Sequence, residues 1–134
     1  MTLVDANVLI DLVEGTSDWY AWSESALLRA AGQGPLLINA IVYAEIARDF
    51  ASQADIQDFL RDLRIGVDPL DEDIAFQAAR AHAHYRQAGG QRHATLPDFF
   101  IGAHASVRRL ALLTRDSKRI QTYFPDVELI CPSA

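Results

Sequence analysis

Short apolar runs alternate with longer amphipathic stretches along the chain. The short runs predict buried strands at residues 3–5, 36–38, 65–67, 110–113 and 127–130. The amphipathic stretches predict helices at residues 8–13, 18–31, 40–50, 53–64, 71–87, 97–109 and 117–124. Strands that alternate with helices are typical of an α/β domain. We therefore expect one domain over residues 1–134, with a mostly parallel central sheet of about four to five strands and helices on both faces.

Two of the predicted helices carry apolar faces that allow more than one interpretation. Trp19 and Trp22 share a face of the helix at 18–31, and we favour a core position for them over a partner surface. The helix at 40–50 is apolar nearly all round, which predicts that Glu45 is buried with it. A surface ion pair between Glu45 and Arg48 explains this acid equally well when it is considered alone.

The composition is that of an ordinary globular protein, since 50% of the residues are hydrophobic and 22% are charged. The single cysteine, Cys131, excludes an internal disulfide and a cysteine-based zinc site, and it fits a reducing compartment. The first apolar run has no basic segment before it and is interrupted by Asp5 and Asp11, so we expect neither a signal peptide nor a membrane span. These features predict a cytoplasmic protein that does not associate with a membrane.

Net charge and histidine spacing narrow the candidate chemistry further. The net charge of −6 argues against a protein that binds nucleic acid with its whole surface. It is compatible with an acidic metal centre beside a local basic cluster. The histidines do not form a zinc motif, because His82 and His84 are two residues apart and point in different directions on a helix. His93 lies in a Gly-containing linker predicted at 87–95, and His104 lies on a later helix.

Four acidic residues occupy positions that a parallel sheet would bring together. Asp5 and Asp116 each follow a predicted strand, whereas Glu45 and Asp98 lie near the starts of two helices. Each acid alone has a simpler explanation as a helix cap, an ion-pair partner or a first-turn acid. Together they lie along the edge where the strands end, around the point at which the strand order reverses. Clustered carboxylates need cations between them, and hard ions such as Mg²⁺ or Mn²⁺ prefer oxygen ligands. Two such ions can activate water and stabilise the leaving oxygen in phosphodiester hydrolysis, so the pattern points to that reaction.

Five segments spread over almost the whole chain carry a family resemblance. They are Leu3-Val-Asp5-Ala-Asn7-Val-Leu-Ile-Asp11, Ile41-Val-Tyr-Ala-Glu45-Ile46, Leu96-Pro-Asp98-Phe-Phe-Ile-Gly-Ala-His-Ala105, Leu113-Thr114-Arg-Asp116 and Tyr123-Phe-Pro-Asp-Val-Glu-Leu-Ile130. In this order they resemble the motifs of PIN-domain nucleases, and closely those of VapC-type toxins of bacterial toxin–antitoxin pairs. Any one of them is weakly specific, whereas all five in sequence are strongly so.

The resemblance implies a central parallel sheet and an Mg²⁺- or Mn²⁺-dependent endoribonuclease that cleaves tRNA, rRNA or mRNA. It places the family's acidic quartet, which would ligate the metal and carry catalysis, at Asp5, Glu45, Asp98 and Asp116. Asn7 and Thr114 correspond to supporting polar groups. The resemblance also implies a homodimer and inhibition by a small cognate antitoxin. One departure is Asn39, where such proteins more often carry Ser or Thr.

Basic residues close to Asp116 in the sequence form a candidate RNA contact. They are Arg108, Arg109, Arg115, Lys118 and Arg119. Phosphate contacts of this kind hold a strand without reading its sequence. An equally good explanation is that they are ordinary cationic residues at a helix end and on its neighbour.

Other functions share the size and acidity of this chain. A phosphoacceptor signalling domain needs adjacent acids after the first strand, but Asp5 is followed by Ala6 and Asn7. A catalytically silent module that acts through partner binding would not need all four acids. A nuclease directed at DNA is a further alternative, because nothing in the sequence reads a 2′-hydroxyl. The RNA preference therefore rests on the resemblance alone.

Overall fold

Strands and helices alternate in the computed structural model, which describes residues 1–89 and 95–133. The strands are β1 (Thr2–Val4), β2 (Leu36–Ile38), β3 (Ile65–Val67), β4 (Ala111–Leu113) and β5 (Leu129–Ile130). The helices are α1 (Ala6–Glu14), α2 (Tyr20–Ala31), α3 (Ala40–Ala47), α4 (Gln53–Asp62), α5 (Glu72–Gln87), α6 (Leu96–Arg108) and α7 (Lys118–Tyr123). Most of the linker predicted at 87–95, including His93, lies outside the described residues.

The strands form one five-stranded sheet in the order β3-β2-β1-β4-β5, and all neighbouring pairs are parallel. This confirms the predicted α/β fold with a parallel central sheet. The chain moves outward from β1 to β3 and then crosses back to β4 on the other side of β1. Because such connections are right-handed, the helices before β3 and those after it cover opposite faces of the sheet. The reversal beside β1 is a topological switch point, where ligands bind in open α/β sheets.

Polar residues at the carboxyl ends of the strands start the helices that follow. The Asp5 Oδ1 accepts a hydrogen bond from the Ala6 N–H at 2.7 Å, so α1 starts earlier than predicted. The Asn39 Oδ1 accepts from the Val42 N–H at 3.0 Å and caps α3, as predicted. Because the strands are parallel, both capping residues lie at the same edge of the sheet.

Two burial predictions require correction. Trp22 packs against the core, but Trp19 is 41% exposed, so the core prediction for Trp19 is wrong. The reason is that Trp19 is the residue before the first turn of α2 and does not lie on the buried face of that helix. α3 ends at Ala47 and exposes Ala44, and Glu45 is only half-buried. None of the helices among the described residues has the length and apolar character needed to cross a membrane.

Gly102 lets α6 pack closely against the ring of Phe124, because a Cβ at this position would overlap that ring. We expect Gly102→Ala to lower the free energy of unfolding by about 1–2 kcal/mol, since overpacking costs more than alanine gains in helix propensity. Chemical denaturation measures this change. Gly32→Ala is the matched control, because a Cβ there meets only backbone oxygens at 3.5 and 3.8 Å. Equal effects of the two substitutions would contradict this account of the packing.

Candidate active site

A cleft at the carboxyl edge of the sheet brings the predicted acidic quartet together. The cleft has a volume of about 200 Å³ and is lined by polar, charged and apolar side chains. The acids that line it are Asp5, Glu45, Asp98 and Asp116. Asn7 and Arg119 also line it, and isoleucines close its apolar side. The four acids come from separate elements, so the fold and not the local sequence assembles them.

Burial, with a smaller contribution from mutual repulsion, raises the pKa values of two of these carboxylates. Burial raises the pKa of Asp5 above its ordinary value, and the charges of Asp116 and Asp98 raise it further. Hydrogen bonds from the Thr114 hydroxyl and the Ala6 N–H partly offset this effect. Burial likewise raises the pKa of Glu45, with further contributions from Asp5 and Asp98. The cleft therefore concentrates negative charge that a cation would relieve.

Thr114 and Asn7 fix the position of Asp5 relative to Asp116. Thr114 is fully buried after β4, and its hydroxyl donates to the Asp5 Oδ2 at 2.8 Å. The same hydroxyl oxygen accepts from the Asp116 N–H at 3.0 Å and from the Asn7 Nδ2 at 3.3 Å. Two acids that are far apart in the sequence are thus joined through one hydroxyl group. The supporting polar groups expected from the sequence lie beside the cleft.

The donor chemistry of the cleft fits a hard divalent cation. All four acids offer carboxylate oxygens, which Mg²⁺ and Mn²⁺ prefer, and no sulfur ligand lines the cleft. Within residues 1–89 and 95–133, however, no three acidic, histidine or cysteine side chains are already arranged to hold an ion. Binding therefore requires the side chains of the quartet to turn toward a common centre.

The structure separates the candidate RNA contacts from one another. Arg119 lines the cleft, and its guanidinium lies over the rings of Tyr85 and Phe99. Arg115 is bound to Asp11 through two hydrogen bonds, of 2.8 and 3.1 Å. Lys118 is exposed at the start of α7.

Arg108 and Arg109 lie at the far end of α6 from Asp98. At 1.5 Å per residue, the helix places them about 15 Å from that acid along its axis. Arg108 is also within ion-pair distance of Asp68 and Asp71, at 3.8 and 3.5 Å. The structure therefore does not bring these two arginines together with the acidic quartet.

A polar trio of His104, Asn39 and Asp68, of which the first two are fully buried, was not foreseen from the sequence. His104 is fully buried, with its Nδ1 at 3.0 Å from the Asn39 Nδ2 and its Nε2 at 2.7 Å from the Asp68 Oδ2. Because the Asn39 Oδ1 accepts the Val42 N–H, the Asn39 Nδ2 donates to His104, whose Nε2 then donates to Asp68. One asparagine side chain thus both caps α3 and binds α6, which accounts for Asn39 where Ser or Thr was expected. The sequence did offer one signal of this contact, because a histidine among apolar residues on a helix face indicates a buried and hydrogen-bonded position.

We expect His104→Ala to lower the free energy of unfolding by about 2–4 kcal/mol, because it leaves the Asn39 amide without its buried partner and creates a cavity. Thermal or chemical unfolding measures this loss. His84→Ala is the matched control, since His84 is exposed on α5 and its replacement should change stability by less than about 0.5 kcal/mol. Similar losses in both variants would argue against the trio as a stabilising contact.

Comparisons with known proteins agree with this fold. A family model described as the PIN domain matches residues 2–125. No curated protein matches the chain. Among solved structures, a chain of VapBC2 from Rickettsia felis, bound to a DNA fragment from its promoter, is 18% identical with a TM-score of 0.76, and 98% of each chain is covered.

Two further structures show the same likeness. A chain of the toxin–antitoxin complex from Klebsiella pneumoniae is 25% identical with a TM-score of 0.67, and 95% of each chain is covered. A chain of VapBC-1 from nontypeable Haemophilus influenzae is 20% identical with a TM-score of 0.74, covering 97% of this chain and 96% of that one. The structural likeness extends over nearly the full length of these chains.

Proposed function

We propose that this chain, which belongs to the PIN domain family, is a cytoplasmic, divalent-metal-dependent endoribonuclease and the toxin of a VapBC-type toxin–antitoxin pair. The observation that carries the proposal is the convergence of all four acids on one cleft at the switch point of a parallel sheet. Nuclease activity is general among PIN domains, and the four carboxylates around the cleft offer oxygen ligands and negative charge that a divalent cation would neutralise.

In the proposed site, Asp5, Asp98 and Asp116 would hold Mg²⁺ or Mn²⁺, and Glu45 would ligate the ion or orient the attacking water. The chemistry that such an ion supplies when bound is activation of water and neutralisation of charge at the phosphodiester. Thr114 and Asn7 keep Asp5 and Asp116 in fixed relative positions through the hydrogen bonds described above.

Glu45 and Arg119 have separate tasks in this scheme. Glu45 is half-buried and its carboxylate lines the cleft, which suits it to orient the attacking water. Arg119 lines the same cleft and offers a cation to the substrate phosphate.

The proposal is tested by incubating antitoxin-free protein with a mixed tRNA and rRNA pool in Mn²⁺, in Mg²⁺ and in chelator. Fragments that depend on the metal would support an endoribonuclease and identify its substrate. Single-stranded DNA in a parallel reaction separates the DNA-directed alternative. No cleavage of either polymer by folded protein would favour a catalytically silent module that acts through its partner.

Arg119→Gln is expected to raise the KM for RNA by about 10-fold and to make binding less dependent on salt, because it removes one phosphate contact. The measurements are the KM for RNA cleavage and the change in RNA affinity with salt concentration. Arg109→Gln is the matched control, since Arg109 lies at the opposite end of α6 and should leave both quantities unchanged. A larger effect of Arg109→Gln than of Arg119→Gln would contradict the proposal that RNA binds at the cleft.

The partners of the chain are part of the same proposal. Several structurally similar proteins were solved as toxin–antitoxin complexes. We therefore propose that a small cognate antitoxin binds this chain. From the family resemblance we also propose that the chain itself forms a homodimer. Co-expression with the adjacent reading frame, followed by sedimentation of the free and complexed protein, tests both points.

A further inference from the structure

Asp11 is a charged residue buried beside the cleft that does not line it. It is 2% exposed, and its oxygens accept from the Ser17 hydroxyl at 2.8 Å and from the Ser23 hydroxyl at 2.6 Å. Arg115 donates from its Nε to the Asp11 Oδ2 at 2.8 Å and from a terminal nitrogen to the Oδ1 at 3.1 Å. A buried carboxylate is costly unless it is paired and fully hydrogen-bonded, as Asp11 is. Such an arrangement holds its partners in one geometry.

The partner of Asp11 belongs to the segment that presents Asp116. Arg115 lies between Thr114 and Asp116, and its backbone N–H donates to the Asn7 Oδ1 at 3.2 Å. The segment after β4 is therefore attached to α1 by the Arg115 side chain, by the Arg115 backbone and by the Thr114 hydroxyl oxygen, which accepts from the Asn7 Nδ2. Because α1 begins directly after Asp5, these contacts fix the distance between two acids of the quartet.

Trp19 limits the freedom of the Arg115 guanidinium further. The guanidinium carbon lies 5.3 Å from the centre of a Trp19 ring, and the Trp19 N–H donates to the Ser17 hydroxyl at 3.0 Å. The Arg115 side chain is 27% exposed. An arginine held by a carboxylate on one side and an aromatic ring on another is poorly placed to turn toward a phosphate.

We infer that Asp11 and Arg115 are positioning residues that fix Asp116 for metal binding, and that Arg115 does not contact RNA. The inference rests on the proposed function, because it concerns the affinity of the acidic quartet for a divalent cation. Asp11 and Arg115 touch neither metal nor substrate and act through the segment that carries Asp116. The planar guanidinium matters here, since it spans both carboxylate oxygens in a way that a lysine does not.

The test compares Mn²⁺ affinity, measured by electron paramagnetic resonance, in wild type, Asp11→Asn, Arg115→Lys and the double variant. Removing a partner that orients a metal ligand typically weakens metal binding by about 10–100-fold. We expect about 10-fold weaker binding in each single variant and no further loss in the double variant. Asp58→Asn and Arg61→Lys are matched controls, because this exposed ion pair on α4 should not affect Mn²⁺.

Arg115→Lys separates the two roles, since it keeps the charge that a phosphate contact would need. Unchanged Mn²⁺ affinity in folded Arg115→Lys would overturn the inference, even if its melting temperature fell. Additive losses in the double variant would also overturn it. If Asp11→Asn does not fold, Arg115→Lys decides alone. If wild-type protein binds no Mn²⁺, both the proposed function and the inference are refuted. If wild-type protein binds Mn²⁺ and Asp98→Asn does not, the proposed function stands whatever the result for Arg115→Lys.

Discussion

Asp98→Asn is expected to reduce RNA cleavage by more than about 100-fold while leaving the fold intact. Altering a residue that merely orients a metal ligand already costs about 10–100-fold, and Asp98 is proposed to be a ligand itself. The Asp98 Oδ2 accepts the Thr95 N–H at 2.7 Å at the start of α6. Asparagine keeps an acceptor oxygen for this bond, so the helix start is preserved. Single-turnover cleavage and thermal unfolding measure the two effects separately.

Asp73→Asn is the matched control for this substitution. Asp73 lies in the first turn of α5, where an acid also complements the helix dipole but does not line the cleft. The Asp73→Asn variant should cleave RNA at the wild-type rate. If Asp98→Asn and Asp73→Asn were equally active, Asp98 would have only the structural role of a first-turn acid.

The second large effect concerns stability without metal. Burial raises the pKa of Asp5 and of Glu45 in the folded protein, whereas both titrate near about pH 4 when unfolded. At pH values between the pKa values of the unfolded protein and the raised pKa values of the folded protein, the folded state binds more protons than the unfolded state. The stability contributed by the two groups is therefore fully present below about pH 4 and is lost as the pH rises through the raised pKa values.

Divalent cations should reverse this loss at neutral pH. At a metal concentration of about 100 times Kd, binding adds about 2.7 kcal/mol, which corresponds to a rise in melting temperature of roughly 5–15 °C. We expect Asp5→Asn to be more stable than wild type in chelator at pH 7.5 and to gain little from Mn²⁺. Calorimetry at pH 5 and pH 7.5 measures both differences. Equal stability of the two proteins in chelator, with equal gains from Mn²⁺, would contradict the account.

The convergence of side chains that the sequence predicted at this edge depends on where the strands end. Asp5 follows β1 directly, and Thr114 follows β4, which is paired with β1 in a parallel register. Once a parallel sheet is inferred, its topology alone brings these residues to one edge. Glu45 and Asp98 were found because each lies within one or two turns of a helix that starts at that edge.

The contacts that sequence reasoning missed depend on side-chain direction. Arg115 and Asp11 are 104 positions apart, and His104 and Asn39 are 65 positions apart, so no local pattern links either pair. Conversely, residues that are close in the sequence can lie apart in the fold. Arg108 and Arg109 are close to Asp116 in the sequence. However, they precede β4 and Asp116 follows it, so they lie at opposite ends of this strand. Charge in sequence therefore predicted a basic cluster that the fold divides.

A crystal structure of the protein with Mn²⁺, in which the ion is located by its anomalous scattering, tests the acidic quartet as a metal site. We expect an anomalous peak in the cleft, within bonding distance of a carboxylate oxygen of Asp5 and of one from Asp98 or Asp116. A cleft without a peak in crystals of active protein, or Mn²⁺ bound only elsewhere, would contradict the assignment of the acidic quartet as the metal site.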